Sequence, residues 1–166
     1  MASMSAQRAS SSSTPRWIYD VFLSFYGQDT RNSFTDHLYA ALIQKDIIAF
    51  RDDEKLEPGK YVSEELLIAI EASICAVVII SENYASSKWC LNELAKIVER
   101  RRETGLEVFP VFYHVDPSDV REQKKSFAKA FARHREDPEV DEAKMMTWRD
   151  ALRDVDNTVG WHAHDR

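Results

Sequence analysis

One segment of the sequence combines an aromatic ring and a carboxylate at a spacing suited to chemistry. It spans residues 86–94, where Trp89 and Glu93 are four residues apart. On a helix that spacing places both side chains on one face, and a serine before the first turn would cap the helix. A flat ring beside a carboxylate can hold an aromatic ligand and stabilise a developing positive charge.

The same residues also fit a plain structural role. Leu91, Leu94 and Val98 form the apolar stripe of this helix, and the stripe predicts that Glu93 turns partly away from the core. The alternative is therefore a capped helix with an ordinary surface glutamate and a half-buried tryptophan. From these residues alone both interpretations stay open, because most surface carboxylates have no catalytic role.

The elements that must position this segment follow from hydrophobic patterning. Strand-like runs, rich in β-branched and aromatic residues, occupy Tyr19–Phe25, 47–50, 76–81 and 108–113. Between and after them lie helical stripes, formed by Phe34, Leu38, Ala41 and Leu42; Val62, Leu66, Ala69 and Ile70; Leu91, Leu94, Ala95 and Val98; Phe127, Ala130, Phe131 and His134; and Met145, Trp148, Leu152 and Val155.

Strands alternating with helices indicate βαβ units joined by right-handed crossovers. The predicted fold is α/β, a flavodoxin-like doubly wound sandwich with a mostly five-stranded parallel sheet and helices on both faces. The pattern leaves the fifth strand open, either within 105–138 or among the last residues. In such sheets ligands bind outside the carboxyl ends of the strands, which directs attention to the loops 27–31, 52–60, 81–87 and 114–119.

Composition excludes several classes of function. The chain has 166 residues and four glycines, so neither a G-x-G-x-x-G fingerprint nor a phosphate-binding P-loop occurs. A net charge of −6 argues against nucleic-acid binding, and no apolar run approaches the ~18 residues of a membrane span. The two cysteines suit neither a disulfide framework nor a four-ligand zinc site. We expect no metal and a reducing compartment.

The domain organisation is simple. Residues 1–16 are rich in serine and contain no acidic residue, a composition that predicts a disordered tail. Residues 17–166 then form one domain.

Four motifs resemble those of plant Toll/interleukin-1 receptor (TIR) domains. The run YDVFLSF at Tyr19–Phe25, followed by the sequence 27–31, is similar to the opening motif of that family. The segments 81–94, 110–121 and 148–152 resemble its third helix, its fourth strand with the next loop, and its last helix. Gly160 and Trp161 match the end of the domain. The resemblance covers about residues 17–164 in order.

This resemblance implies the N-terminal signalling domain of a nucleotide-binding, leucine-rich-repeat disease-resistance receptor. Such a domain self-associates and hydrolyses the nicotinamide glycosidic bond of NAD⁺ or NADP⁺, which starts defence and cell death. The dinucleotide is a substrate, and no cofactor is implied. A non-catalytic self-association or adaptor module is the alternative function.

The resemblance also assigns residues. Glu93 would be the catalytic residue, since one carboxylate can stabilise an oxocarbenium-like ribose while neutral nicotinamide leaves. The substrate would be bound by Phe25, Tyr26, Gly27, Gln28, Asp29, Thr30, Arg31, Gly59 and Trp89. In the family the loop that contains Gly59 closes over the site and forms an assembly contact.

The first loop departs from the family at two positions. Tyr26 and Gln28 stand where an arginine and a glutamate usually flank the glycine. The lost cation would have lain near the phosphates or ribose, and a charge-assisted contact is worth about one to two decades of affinity. We therefore expect a weakened NAD⁺ nucleosidase.

Two self-association surfaces carry over from the family. One involves Asp36 and His37 on the first long helix, where His37 matches the family and Asp36 departs from it. The other involves the last helix and Gly160. The expected partners are further copies of this chain, bound weakly in isolation, and other TIR domains. Neither a membrane nor nucleic acid is expected, and the expected location is the cytoplasm, with the nucleus as a second compartment.

Overall fold

A parallel sheet with helices on both faces organises the chain. The computed structural model describes residues 17–51 and 64–155, and the backbone of 161–163. Within these residues five parallel strands lie in the order β2-β1-β3-β4-β5. They are β1 (Tyr19–Phe25), β2 (Ala49–Arg51), β3 (Ser73–Ile80), β4 (Glu107–Tyr113) and β5 (Trp161–Ala163). The predicted α/β class and sheet are confirmed.

The helices of the described residues connect the strands in the expected alternation. They are α1 (Gly27–Thr30), α2 (Phe34–Gln44), α3 (Glu64–Glu71), α4 (Lys88–Thr104), α5 (Pro117–Arg121), α6 (Ser126–Arg135) and α7 (Glu142–Val155). A 3₁₀ turn, Tyr84–Ser86, precedes α4. Helix α4 is followed by Gly105 as its C-cap, whose φ of 79° is the left-handed conformation that glycine adopts most readily.

Two hydrophobic clusters cover the two faces of the sheet. The larger contains Phe22, Ile80, Leu91 and Trp148, and it joins the sheet to α3, α4, α6 and α7. The smaller contains Val21, Leu23, Phe25, Ala49, Ile79 and Val111, against which the half-buried side chains of α2 pack. This division into two clusters is the doubly wound arrangement that the alternating pattern predicts.

The strand bounds differ from prediction at identifiable places. β1 has the predicted bounds, whereas β2 begins at Ala49 because the amide of Ile48 donates to the Asp20 carboxylate at 2.8 Å. β3 begins at Ser73, three residues earlier than predicted, since pairing with β1 continues to Tyr19. The extension adds Ser73, Ile74 and Cys75, of which Ser73 is polar and Ile74 is exposed. The fifth strand comes from the last residues, at Trp161–Ala163.

Most helical stripes are confirmed, with one exception. The stripes of α6 and α7 are buried, as are Leu66, Ala69 and Ile70 of α3 and Leu91, Leu94 and Val98 of α4. In α2 the predicted stripe lies only half-buried where it packs against the smaller cluster, and Ala41 is exposed. Residues 1–16 and Val62 lie outside the described residues.

Candidate functional site

The side chain of Glu93 lies inside the protein at the carboxyl end of β1. Helix α4 begins after Ser87, whose hydroxyl accepts from the amide of Cys90 at 3.1 Å, so the predicted serine cap is confirmed. Glu93 is only 4% exposed. The expectation that it turns partly away from the core is therefore wrong, because polar groups of neighbouring elements meet the carboxylate there.

Both carboxylate oxygens of Glu93 accept hydrogen bonds. Ser24 Oγ donates to Oε1 at 2.8 Å, and the indole Nε1 of Trp89 donates to Oε2 at 3.0 Å. Trp89 itself is half-buried and packs against the larger cluster. The helical spacing thus brings the ring and the carboxylate together as predicted. An ordinary surface glutamate does not describe this arrangement, since the side chain is buried and both of its carboxyl oxygens have hydrogen-bond partners.

Sequence patterning did not identify two hydroxyl groups of this site. Ser24 and Tyr84 are fully buried, and their oxygens lie 2.7 Å apart. Tyr84 also donates to the carbonyl of Cys90 at 3.2 Å, and burial raises the pKa of its phenol well above the usual range. One signal was present, because Ser24 is a hydroxyl residue within the otherwise apolar second half of β1.

The first loop is joined to the loop after β3 through Asp29. Its carboxylate accepts from Ser81 Oγ at 2.5 Å, from the amide of Asn83 at 2.8 Å and from Asn83 Nδ2 at 3.1 Å. The side chain of Thr30 is fully buried and shares a 2.7 Å hydrogen bond with Thr35. These contacts give Asp29 and Thr30 a structural role at the rim of the site.

Arg31 lies over the aromatic ring at the end of β1. Its guanidinium carbon is 5.1 Å from the centroid of the Phe25 ring. A Cβ at Gly27 would lie 2.8 Å from Arg31 Nη2, so the missing side chain leaves room for this stack. Arg31 is thereby held near the carboxyl end of β1, where a guanidinium can meet a phosphate.

The two positions that depart from the family contact each other. Tyr26 donates its hydroxyl hydrogen to Gln28 Oε1 at 3.2 Å. Burial, assisted by Asp29 and Cys90, raises the pKa of the Tyr26 phenol. Cys90 Sγ in turn lies 3.5 Å from the carbonyl of Phe25. The first loop therefore packs against the start of α4, next to Trp89.

The remaining assigned residues lie away from Glu93 or outside the described residues. Asp36 forms a 2.9 Å ion pair with Arg51, and His37 is exposed on the same helix. Gly59 and Gly160 fall in the ranges 52–63 and 156–160, so their predicted roles lie outside the described residues. In the described part of the chain, no cluster of histidine, cysteine or acidic residues could hold a metal ion. Similarly, no described helix is long and apolar enough to cross a membrane.

Helix α6 supports the turn that carries Tyr84. His134 is buried, and its Nε2 lies 2.8 Å from the carbonyl oxygen of Ala85 in that turn. A carbonyl only accepts, so Nε2 carries the hydrogen and the neutral ring satisfies this contact. Lys88 at the start of α4 pairs with Asp137 after α6 at 2.7 Å. These two contacts fix α6 against the segment that leads to Glu93.

The domain is expected to become less stable at acidic pH, because protonation of the buried His134 favours the unfolded chain. Burial lowers the pKa of this histidine below its usual value of 6.5, an effect that Lys88 and Arg133 strengthen and that Ala85 and Asp137 oppose. The unfolded chain then binds the proton more readily, so this contribution to stability is complete above pH 6.5 and is lost as the pH falls below that value.

Thermal unfolding at pH 7.5 and pH 5.5 measures the effect. The melting temperature of the unaltered chain should fall more over this interval than that of His134→Gln, whose amide can still donate to the Ala85 carbonyl. Equal falls in both proteins would contradict the assignment.

Comparison with known proteins places these observations in a family. The TIR domain family matches residues 18–166. Disease resistance protein RPV1 of Vitis rotundifolia is 53% identical over an alignment of 170 residues, gaps included, which covers 99% of this chain and 12% of that protein. TMV resistance protein N of Nicotiana glutinosa is 53% identical over 152 residues, covering 92% of this chain and 13% of that protein. The chain thus spans about an eighth of the length of these relatives.

A solved structure agrees with the fold. The TIR domains in the structure of the activated Roq1 resistosome, which directly recognises the pathogen effector XopQ, match with a TM-score of 0.81 and 50% identity, covering 87% of each chain. Sequence motifs, sheet order, the capped helix α4 and these relatives all agree, and the chain belongs to the TIR domain family, in the branch found in plant disease-resistance proteins.

Proposed function

We propose that this chain is the signalling domain of a plant immune receptor and that its assembled form hydrolyses the nicotinamide glycosidic bond of NAD⁺ or NADP⁺. The observation that supports the proposal most directly is the Glu93 carboxylate, 4% exposed and hydrogen-bonded to Ser24 and Trp89. It lies at the carboxyl end of a parallel sheet, where ligands of doubly wound folds bind.

The chemistry requires one anionic group. As the bond between ribose C1′ and the pyridinium nitrogen breaks, its electron pair stays on nitrogen and nicotinamide leaves as a neutral molecule. Positive charge develops on the ribose, and the carboxylate of Glu93 stabilises it. Water then attacks C1′ and releases a proton, giving ADP-ribose. Attack by an adenine nitrogen instead would give a cyclic isomer.

Burial increases the effect of this charge and limits access to it. Charge–charge interactions are stronger where water is excluded, so a buried Glu93 stabilises a cation better than an exposed one. In the single chain, however, Glu93 is only 4% exposed and its Oε2 accepts from the Trp89 indole. A ribose needs a path to the carboxylate, and we propose that self-association opens that path while the hydrogen bond from Trp89 is kept. The Roq1 TIR domains, seen in an activated resistosome, are similar to this chain.

Nicotinamide release by bead-clustered protein tests the proposal. Clustered chain should consume NAD⁺ or NADP⁺, and the rate per chain should fall when the same protein is diluted free in solution. Absence of nicotinamide from clustered chain, with the fold intact by circular dichroism, would reject catalysis.

Gly59 remains a predicted assembly contact, and so do the two surfaces at Asp36 with His37 and at Gly160. The cytoplasm and the nucleus remain the predicted locations.

A non-catalytic self-association module is the second candidate. It is favoured by the contact between Tyr26 and Gln28, which places a neutral pair where the family usually has arginine and glutamate. Such a pair offers no cation to a phosphate, so the dinucleotide would bind less tightly than in a site with the arginine.

Restoring the cation should increase activity. We expect Tyr26→Arg to raise kcat/KM for NAD⁺ by about tenfold, since a charge-assisted hydrogen bond to phosphate or ribose exceeds a neutral one by about that factor. Tyr26→Phe is the matched control, because it removes the contact with Gln28 and adds no charge. Equal rates in the two variants, at equal melting temperatures, would show that position 26 does not contact the nucleotide.

A further inference from the structure

A buried chain of hydroxyl groups ends on the Glu93 carboxylate. Tyr84 lies in the 3₁₀ turn after β3, Ser24 lies in β1, and Glu93 lies in α4. The Tyr84 and Ser24 oxygens are 2.7 Å apart, and Ser24 Oγ is 2.8 Å from Glu93 Oε1. Both hydroxyl residues are fully buried. Burying hydroxyl groups is costly unless each is paired, so this chain is a specific feature of the core.

With Glu93 ionised, the hydroxyl hydrogens of Ser24 and Tyr84 have one arrangement. A serine hydroxyl carries a single hydrogen, and the ionised carboxylate can only accept. Ser24 therefore donates to Glu93 and must accept from Tyr84. The Tyr84 hydrogen is shared with the carbonyl of Cys90, 3.2 Å away, which also only accepts. All donors thus point toward the carboxylate, an arrangement that stabilises its ionised form.

We propose that Ser24 is a positioning residue for Glu93, and that Tyr84 orients the Ser24 hydroxyl so that it holds the carboxylate ionised and fixed beside Trp89. The catalytic consequence rests on the proposed function, whereas the effect on the carboxylate itself does not. Trp89 donates to the other oxygen, so the two donors together fix the plane of the carboxyl group. A carboxylate fixed in this way needs no reorganisation as charge develops on the ribose.

Four other ionisable groups lie near the Glu93 carboxylate, and the comparison of Ser24 variants has to take them into account. Tyr84 stays neutral around neutral pH, because burial raises its pKa well above the usual range. Cys90, on the same helix as Glu93, directs its sulfur to the carbonyl of Phe25. Tyr26 and Asp29 lie beyond it, at the end of β1. Cys90, Tyr26 and Asp29 do not contact Ser24, so their effects cancel in a comparison of Ser24 variants. Tyr84 loses its contact with Ser24 in both Ser24→Val and Ser24→Ala, and keeps a hydroxyl partner in Ser24→Thr.

A matched pair of substitutions separates the effect of the Ser24 hydroxyl from the effect of side-chain size. Ser24→Thr keeps the hydroxyl and Ser24→Val lacks it, while both add the same bulk, and β-branched residues suit a strand. Ser24→Ala is the smaller deletion, for use if the added bulk prevents folding. The titration of the Glu93 carboxyl is followed by carbon NMR in protein labelled at glutamate, with the signal assigned through Glu93→Gln.

The expected result is a difference in the protonation midpoint of Glu93. In Ser24→Val and Ser24→Ala the midpoint should rise by about one pH unit, because a donor to the charged form has been removed. Ser24→Thr should titrate close to the unaltered chain. Identical midpoints in Ser24→Val and Ser24→Thr, or no rise in Ser24→Ala, would overturn the proposal. This measurement needs no turnover, so it decides the proposal even if the chain releases no nicotinamide.

Kinetics give the second readout. In clustered protein, Ser24→Ala should lower kcat by about tenfold with little change in KM, and the acid limb of the rate profile should move to higher pH. Tyr84→Phe, which leaves Ser24 able to donate, should show a smaller loss in the same direction. Activity in the unaltered chain with equal kcat and equal pH profiles in Ser24→Thr and Ser24→Val would contradict the positioning role and leave the proposed function standing.

Discussion

Glu93→Gln is expected to reduce nicotinamide release from clustered protein by about a thousandfold, the loss typical of removing a preorganised electrostatic group from a transition state. The amide keeps the shape of the side chain and loses its charge. Its oxygen can still accept from Ser24, but its nitrogen then faces the indole nitrogen of Trp89, and both are donors. The variant therefore loses the charge that we propose stabilises the ribose cation, as well as one hydrogen bond.

The matched control is Glu99→Gln. Glu99 lies on the same helix, with its side chain about half exposed near Lys96, so the same chemical change there should leave the rate unchanged. Nicotinamide is measured by chromatography, and circular dichroism with thermal melting checks that each variant is folded. Full activity in Glu93→Gln would remove Glu93 from the chemistry, and equal losses in the two variants would point to a general effect on α4.

Asp29→Ala is expected to lower the free energy of unfolding by about 3 kcal/mol, the effect of losing hydrogen bonds to a charged acceptor and leaving partners unpaired. The carboxylate accepts from Ser81 and from two atoms of Asn83, and Ser81 is buried. For a domain of this size such a loss lowers the melting temperature by about 6–12 °C. The loop after β1 would also lose its link to the loop after β3.

Asp36→Ala provides the comparison for this prediction. Asp36 pairs with Arg51, but its side chain is 59% exposed, and exposed ion pairs contribute less than about 1 kcal/mol. Differential scanning calorimetry of both variants gives the difference directly. An unchanged melting temperature in Asp29→Ala together with a raised KM for NAD⁺ would identify Asp29 as a ligand of the substrate, as the family resemblance implies.

Local patterns predicted the elements of this fold because their signals lie within a few residues of one another. The run Tyr19–Phe25 is apolar or aromatic except for Asp20 and Ser24, and the strand has those bounds. The stripe of Phe127, Ala130, Phe131 and His134 repeats at helical spacing, and all four side chains are buried in α6. A serine was expected to cap α4 from its position before the first turn, and Ser87 does so.

The environment of Glu93 was not predictable by the same means. Its burial depends on Ser24 and Tyr84, which approach it only when β1, β3 and α4 have packed together. The apolar stripe of α4 assigned Glu93 to the boundary of the core, because periodicity records which residues are apolar and not which polar residues find partners. The link from Asp29 to Asn83 likewise joins two loops that no local pattern connects.

The hydrogen bonds around Glu93 join distant parts of the chain, and this affects how the protein is made. Ser24 is 60 residues from Tyr84 and 69 residues from Glu93. Contacts of such long sequence separation form only after most of the intervening chain has folded. A ribosome-bound chain that has emerged only as far as β3 contains neither Tyr84 nor Glu93. The carboxylate site is therefore complete only after the segment that carries α4 has been synthesised and has packed against β1.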